Sequence, residues 1–272
     1  MIYTISCTNY RYRHHNLGDF IYILCLRNFI KKHNIDSNYV RRDKIDRFDF
    51  KDNDVMIMSG FFSTVETSNT KFWNNKKDVY NYIGFHCSNK IKDLRTNKRF
   101  GCRDFKTYEL FKDQCPNSYV SLCPSLMANL LDFSNINQKN DKIIFIDCGN
   151  NFVKSHSEKN SVSLTQLVHH HNRTELEMES VAYNRLKYLK ENAKIVYTSR
   201  LHIYLPCIAM GIPVKYVGKI DGRTAIVKII NKQTIKYIQP LLIQNFEHEI
   251  FGNGSDVHNE LHNLCNKLFN RC

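Results

Sequence analysis

No apolar run in this chain of 272 residues approaches the roughly 18–20 residues that a bilayer-spanning helix needs. The opening stretch, MIYTISCTNYRYRHH, has too short an apolar segment for a signal peptide. A soluble, cytoplasmic protein is the expectation. Ten cysteines are present, but no two stand in C-x-x-C spacing. With no secretory signal, free reduced thiols are expected in place of a disulfide framework. No paired ligand spacing points to zinc, so no metal is expected. The three adjacent histidines, His169, His170 and His171, cannot share one face of a helix or strand, and read as a polar loop. Zinc-finger, RNP and basic-zipper patterns are missing, as is any repeat period beyond an alternation of strands and helices. Tryptophan occurs once, as Trp73 beside Phe72 and Asn74.

Acidic residues are the scarcer charge: 26 Asp and Glu stand against 39 Lys and Arg, a net charge of +13. Such a balance suits nucleic acid, an anionic membrane surface or an anionic substrate. The basic residues are spread along the chain and not gathered in a block, which argues against nucleic acid as a partner. An abundance of Lys, Asn and Ile also follows from an AT-rich genome. A phosphate-bearing ligand fits the charge, and peripheral contact with an anionic membrane is compatible with it.

Strands alternating with helices predict an α/β protein with parallel sheets. Strands are expected at 2–6, 54–58, 79–85, 99–102 and 120–122, and helices at 16–32 and 104–112. In the helix at 16–32, Leu17, Ile21, Leu24, Leu26 and Phe29 form a wide apolar face. Asn16 or Asp19 can cap its start. A polar stretch at 132–141 is the best linker, placing one lobe at 1–135 and a second at 136–272. The second half restarts the pattern with a strand at 142–147 and another at 162–168. Thr174 and Glu177 then stand in capping-box spacing ahead of a helix to 191. A helix beginning in 222–231 and an amphipathic one at 257–269 close the chain.

Residues 194–217, KIVYTSRLHIYLPCIAMGIPVKYV, carry the most information. They read as a strand at 194–198, a polar turn with Ser199, Arg200 and His202, a helix to Met210, and a second strand after Gly211 and Pro213. Pro206 lacks an N–H and is comfortable only in a helix's first turn, which sets the helix start near 199–202. Arg200 and His202 then lie where a strand's carboxyl end meets a helix N-terminus. That position favours anions, and ligands of open α/β sheets bind there.

The wording TSRLH, an apolar helix and GIPV resembles the signature of the polysaccharide pyruvyl transferase family. Asn16-Leu17-Gly18-Asp19 resembles its N-x-G-D element, and Arg103-Asp104 with Thr107 its R-D-x-x-[ST] helix start. Pro124-Ser125-Leu126 resembles a P-S-L element, and Gly222-Arg223 stands where a D-x-R segment is found. The resemblance spans roughly residues 1–230 and implies two Rossmann-like lobes similar to the GT-B glycosyltransferases. It implies transfer of the enolpyruvyl group of phosphoenolpyruvate, as co-substrate and with no cofactor, to a sugar of a glycan or a lipid-linked precursor. Where the family has two glycines after its second strand, this chain has Ser59-Gly60-Phe61-Phe62.

Enolpyruvyl transfer needs cations for the donor's phosphate and carboxylate, an acid for its methylene carbon, and a base for the acceptor hydroxyl. The Arg200 fork suits carboxylate or phosphate, and Arg103 is a second candidate clamp. The resemblance assigns the donor site to Arg200, Leu201 and His202, with Ser199 in the same turn. His202 can exchange protons near neutral pH. Asp19 reads either as acceptor base or as helix cap. Asn16, Gly18 and His86 are candidate acceptor contacts, His86 being equally readable as a loop histidine. Two other readings remain: a GT-B-like glycosyltransferase using a nucleotide sugar, and a non-catalytic glycan- or nucleic-acid-binding relative.

Overall fold

The computed structural model describes residues 1–6, 14–62, 79–91, 94–169, 173–222 and 224–270. Trp73, Tyr10, Arg11, Tyr12, Arg13, His170, His171 and Arg223 lie outside them. The chain divides into two compact units, and neither is contiguous in sequence. One comprises Met1–Ser6, Ile30–Cys123 and Lys236–Cys272; the other comprises Cys7–Phe29 and Pro124–Ile235. The sequence reading has a single boundary near residue 135. The contacts instead group most of the first helix with the second unit and the last two helices with the first.

The first unit is built on six parallel strands: β1 (Ile2–Ser6), β3 (Ser37–Arg41), β4 (Val55–Phe62), β5 (Tyr80–Cys87), β6 (Phe100–Cys102) and β7 (Ser118–Val120). Their order is β3-β1-β4-β5-β6-β7. Strands buried on both faces read as nearly continuous apolar runs, and β4 and β5 do so. The core is aromatic: Phe100 lies 4.6 Å from Tyr82, 5.0 Å from Phe85 and 5.2 Å from Phe111, ring centre to ring centre. β4 runs on past Met58, where the sequence suggests a loop. Ser59-Gly60 is inside the strand, and Gly60 has φ +103° at a register shift against β5. A glycine at such a place marks a bulge and not a strand end. β5 likewise runs on to Cys87, so His86 is a strand residue and not a loop residue.

α2 (Phe105–Phe111) follows β6. Two carboxy-terminal helices, α7 (Ile235–Phe251) and α8 (His258–Phe269), complete this unit. Asn245 of α7 donates to Tyr119 Oη at 3.1 Å, and His262 Nδ1 of α8 accepts from the Val120 amide at 3.1 Å. The sequence reading does not place α7, which contains Pro240.

The second unit carries four parallel strands, β8 (Lys142–Ile146), β9 (Ser161–Leu164), β11 (Ala193–Thr198) and β12 (Val214–Tyr216), in the order β12-β11-β8-β9. A second, antiparallel pair joins β2 (His14–Asn16) to β10 (Leu167–His169), with Asn16 opposite Leu167. The single strand expected at 162–168 is thus two, β9 and β10. Among the described residues the helices here are α1 (Leu17–Lys32) through Phe29, α3 (Asn150–His156), α4 (Glu175–Asn192), α5 (Leu201–Ala209) and α6 (Ile226–Ile229). Thr174 and Glu177 cap α4 reciprocally, as their spacing predicts. The helix expected to begin in 222–231 is the single turn of α6. The Pro124-Ser125-Leu126 element opens a buried 3-10 turn, Pro124–Leu130, that packs on α5.

Among the described residues the eight cysteines stand outside any disulfide, and seven of them are buried. Among the described residues no helix is long and apolar enough to cross a membrane, and no three His, Cys, Asp or Glu side chains group as a metal site.

Candidate functional site

Within the second unit, β8, β9 and β11 run parallel, and their carboxyl ends converge on Asp147. Its backbone is left-handed, φ +51°, a conformation that aspartate tolerates better than most residues. Its amide donates to Leu164 O at 3.1 Å, and its carbonyl accepts from Ser199 Oγ at 2.7 Å. Its carboxylate then faces the turn between β11 and α5 and accepts from Arg200 Nε at 2.7 Å and from the Gln166 amide at 3.1 Å. Desolvation pushes the Asp147 carboxyl up. Hydrogen bonds from Thr165, the Gln166 amide and Arg200 outweigh it, and the pKa is lowered. Asp147 is therefore an anion that orients Arg200 through Nε. Among the described residues the two Nη groups of Arg200 make no hydrogen bond, and the side chain is 37% exposed. A second guanidinium, Arg185, interacts electrostatically with Asp147 and donates to Thr165 O at 2.9 Å.

Arg200 takes the N-cap position of α5 in extended conformation, and no side chain caps the helix. His202 follows, half-buried, on the side of α1. Asn16 Oδ1 accepts from the Gly18 amide at 3.1 Å and so caps α1. A Cβ at Gly18 would lie 3.0 Å from His202 Cβ and Nδ1. A larger residue at 18 would crowd the imidazole by a few tenths of an ångström. Tyr22, one helical turn on, holds the same ring at 5.4 Å. Asp19 stands half-buried in the first turn of α1, where a negative charge suits the helix dipole. The fold thus brings Asn16, Gly18, Ser199, Arg200, Leu201 and His202 together in one unit.

Beside this turn an open groove of about 520 Å³ is lined by Phe152, His156, Tyr197, Tyr204, Lys215 and Tyr216, among others. It meets the turn at Gly218, where a Cβ would lie 2.8 Å from Tyr216 Oη and 3.0 Å from Ser199 O.

Arg103 and His86 belong to the first unit, in a buried cluster. Asp104 N-caps α2, its Oδ1 accepting from the Thr107 amide and hydroxyl, each at 2.9 Å. Its Oδ2 takes Arg103 Nε and Nη2, each at 3.1 Å, and His86 Nδ1 at 2.9 Å. Arg103, Asp104 and His86 are 4%, 2% and 1% exposed. Burial raises the Asp104 pKa, but Arg103, His86 and Thr107 outweigh it and bring it down to about 2. The R-D-x-x-T wording is accounted for here by a helix cap with a buried ion cluster.

Asp147, Gln166 and Tyr22 carry no motif that sequence reasoning could have used. Only Asp147 leaves a trace, as an acid closing a strong apolar strand.

No family profile and no curated protein matches the chain. Solved structures similar in outline include a protein of unknown function from Klebsiella pneumoniae, with 13% identity, 86% of this chain and 87% of that one covered, and a TM-score of 0.49. A second is a UDP-N-acetylglucosamine 2-epimerase assignment from Listeria monocytogenes, with 11% identity, 98% and 94% covered, and a TM-score of 0.47. A third is Staphylococcus aureus MnaA with UDP, with 10% identity, 95% and 93% covered, and a TM-score of 0.45. Similarity at this level says nothing about chemistry.

Proposed function

We propose that the chain is a phosphoenolpyruvate-dependent pyruvyl transferase that builds a ketal on a sugar of a glycan or its precursor. The observation that carries this reading is the meeting of Gly18 and His202, which joins the N-x-G-D and S-R-L-H elements across most of the sequence. Arg200, with Nε held by Asp147, directs its Nη pair at the donor's carboxylate or phosphate. The start of α5 adds its dipole to the same anion. His202 transfers the proton to the methylene carbon as positive charge develops at the neighbouring carbon. Asp19 takes the proton of the first acceptor hydroxyl as its oxygen bonds to that neighbouring carbon. Phosphate then leaves with the C–O bond electrons, the second acceptor hydroxyl bonds to the same carbon, and its proton returns to His202. The aromatic walls of the groove beside Gly218, with Lys215 and His156 as polar groups, suit a pyranose.

Incubation with phosphoenolpyruvate and a panel of galactosides and N-acetylhexosamines tests this. Phosphate release coupled to an acceptor that gains one ketal-linked pyruvate is expected. Cleavage of a nucleotide sugar with no phosphate from phosphoenolpyruvate would overturn it in favour of a glycosyltransferase.

A further inference from the structure

Pro206 is buried inside α5, four residues after His202. In a regular helix the His202 carbonyl would accept the amide N–H of residue 206. Proline has none, and its ring collides with the carbonyl four residues back. The chain responds at two places. His202 leaves helical geometry, with φ −80° and ψ 20°, while the amides of Ile203 and Tyr204 both turn to Arg200 O at 3.1 and 3.0 Å. The Gln166 side chain, from a residue 1% exposed, donates Nε2 to His202 O at 3.4 Å. Gln166 supplies the donor that Pro206 withholds.

The backbone of Gln166 ties in the other two parts of the site. Its carbonyl accepts from the Leu17 amide at 2.8 Å at the start of α1, and its amide donates to Asp147. We infer that Pro206 and Gln166 are positioning residues that fix the His202 backbone out of the helix and hold its imidazole against Gly18. The proline is there to break the helix at the one residue whose side chain must point at α1. This rests on the reading of His202 as the proton carrier.

Pro206→Ala restores the missing N–H and removes the ring, so residue 202 can become helical and its imidazole swings off Gly18. The melting temperature should hold or rise, since alanine is far the better helix former. Turnover should fall by about 10–100-fold at nearly unchanged KM for phosphoenolpyruvate, as displacement by about an ångström can cost 10²-fold. Gln166→Leu should fall in the same direction without the stability gain. The imidazole resonances of His202 and the amide resonance of Gly18 should shift in both variants. Those resonances decide the positioning even if wild type releases no phosphate, a result that would count against the proposed reaction alone. If Pro206→Ala fails to fold, Gln166→Leu decides by the same readings. A folded variant with wild-type turnover and unmoved His202 and Gly18 resonances overturns the inference.

Discussion

His202→Gln is expected to lose turnover by about 10²–10⁴-fold, the usual contribution of a positioned acid or base. Donor affinity should fall far less, because the anion is held by Arg200 and the start of α5. Glutamine keeps a polar side chain of similar reach, so the Gly18 contact need not collapse. If the imidazole only packs between Gly18 and Tyr22, the variant should melt earlier while each folded molecule reacts at the wild-type rate. Melting temperature and single-turnover rate on the same samples separate these outcomes. An unchanged chemical step would remove His202 from the mechanism.

The second large effect lies in the first unit and concerns stability. Asp104→Asn removes the carboxylate that sits 3.1 Å from the Arg103 guanidinium, in a setting only 4% exposed. Breaking a buried ion pair from one side typically costs about 3–5 kcal/mol, a large part of a domain's roughly 5–15 kcal/mol. Urea unfolding followed by circular dichroism should show that loss, and a change under about 1 kcal/mol would contradict it. The same carboxylate sets an acid limit. Its folded pKa, about 2, lies below the ordinary 3.8. Its contribution is therefore complete above the unfolded value and is lost as pH falls through 4 toward 2. Linkage puts it on the order of 2 kcal/mol. In Asp104→Asn the slope of stability over that window should flatten.

Much of this was legible in the sequence, for reasons tied to particular residues. The buried strands near 2–6, 142–146 and 193–198 show as apolar runs, and Thr174 with Glu177 shows as a capping box. The turn before α5 was readable from Pro206, although the proline lies deeper in α5 than the first turn. It fits because the regular helix restarts only after His202. Gly60 misled, because an isolated glycine reads as a break when it is in fact a bulge in β4. Placing His86 on a loop repeated that error one strand later. The assignment of α1 to the second unit could not be read, since periodicity reports that a helix has an apolar face and not which sheet receives it. Asp147 and Gln166 act through backbone and side-chain bonds that exist only once β8, β9 and β11 are aligned.

The central claim is that Arg200, oriented by Asp147, anchors phosphoenolpyruvate. Calorimetric titration of phosphoenolpyruvate into wild type, Arg200→Ala and Arg200→Lys tests it most directly. A charged hydrogen bond contributes about 1.5–3 kcal/mol, so alanine should weaken binding by about tenfold or more. Lysine should recover only part, because it lacks the planar fork. Equal affinity in wild type and Arg200→Ala, or no binding by wild type, would contradict the account.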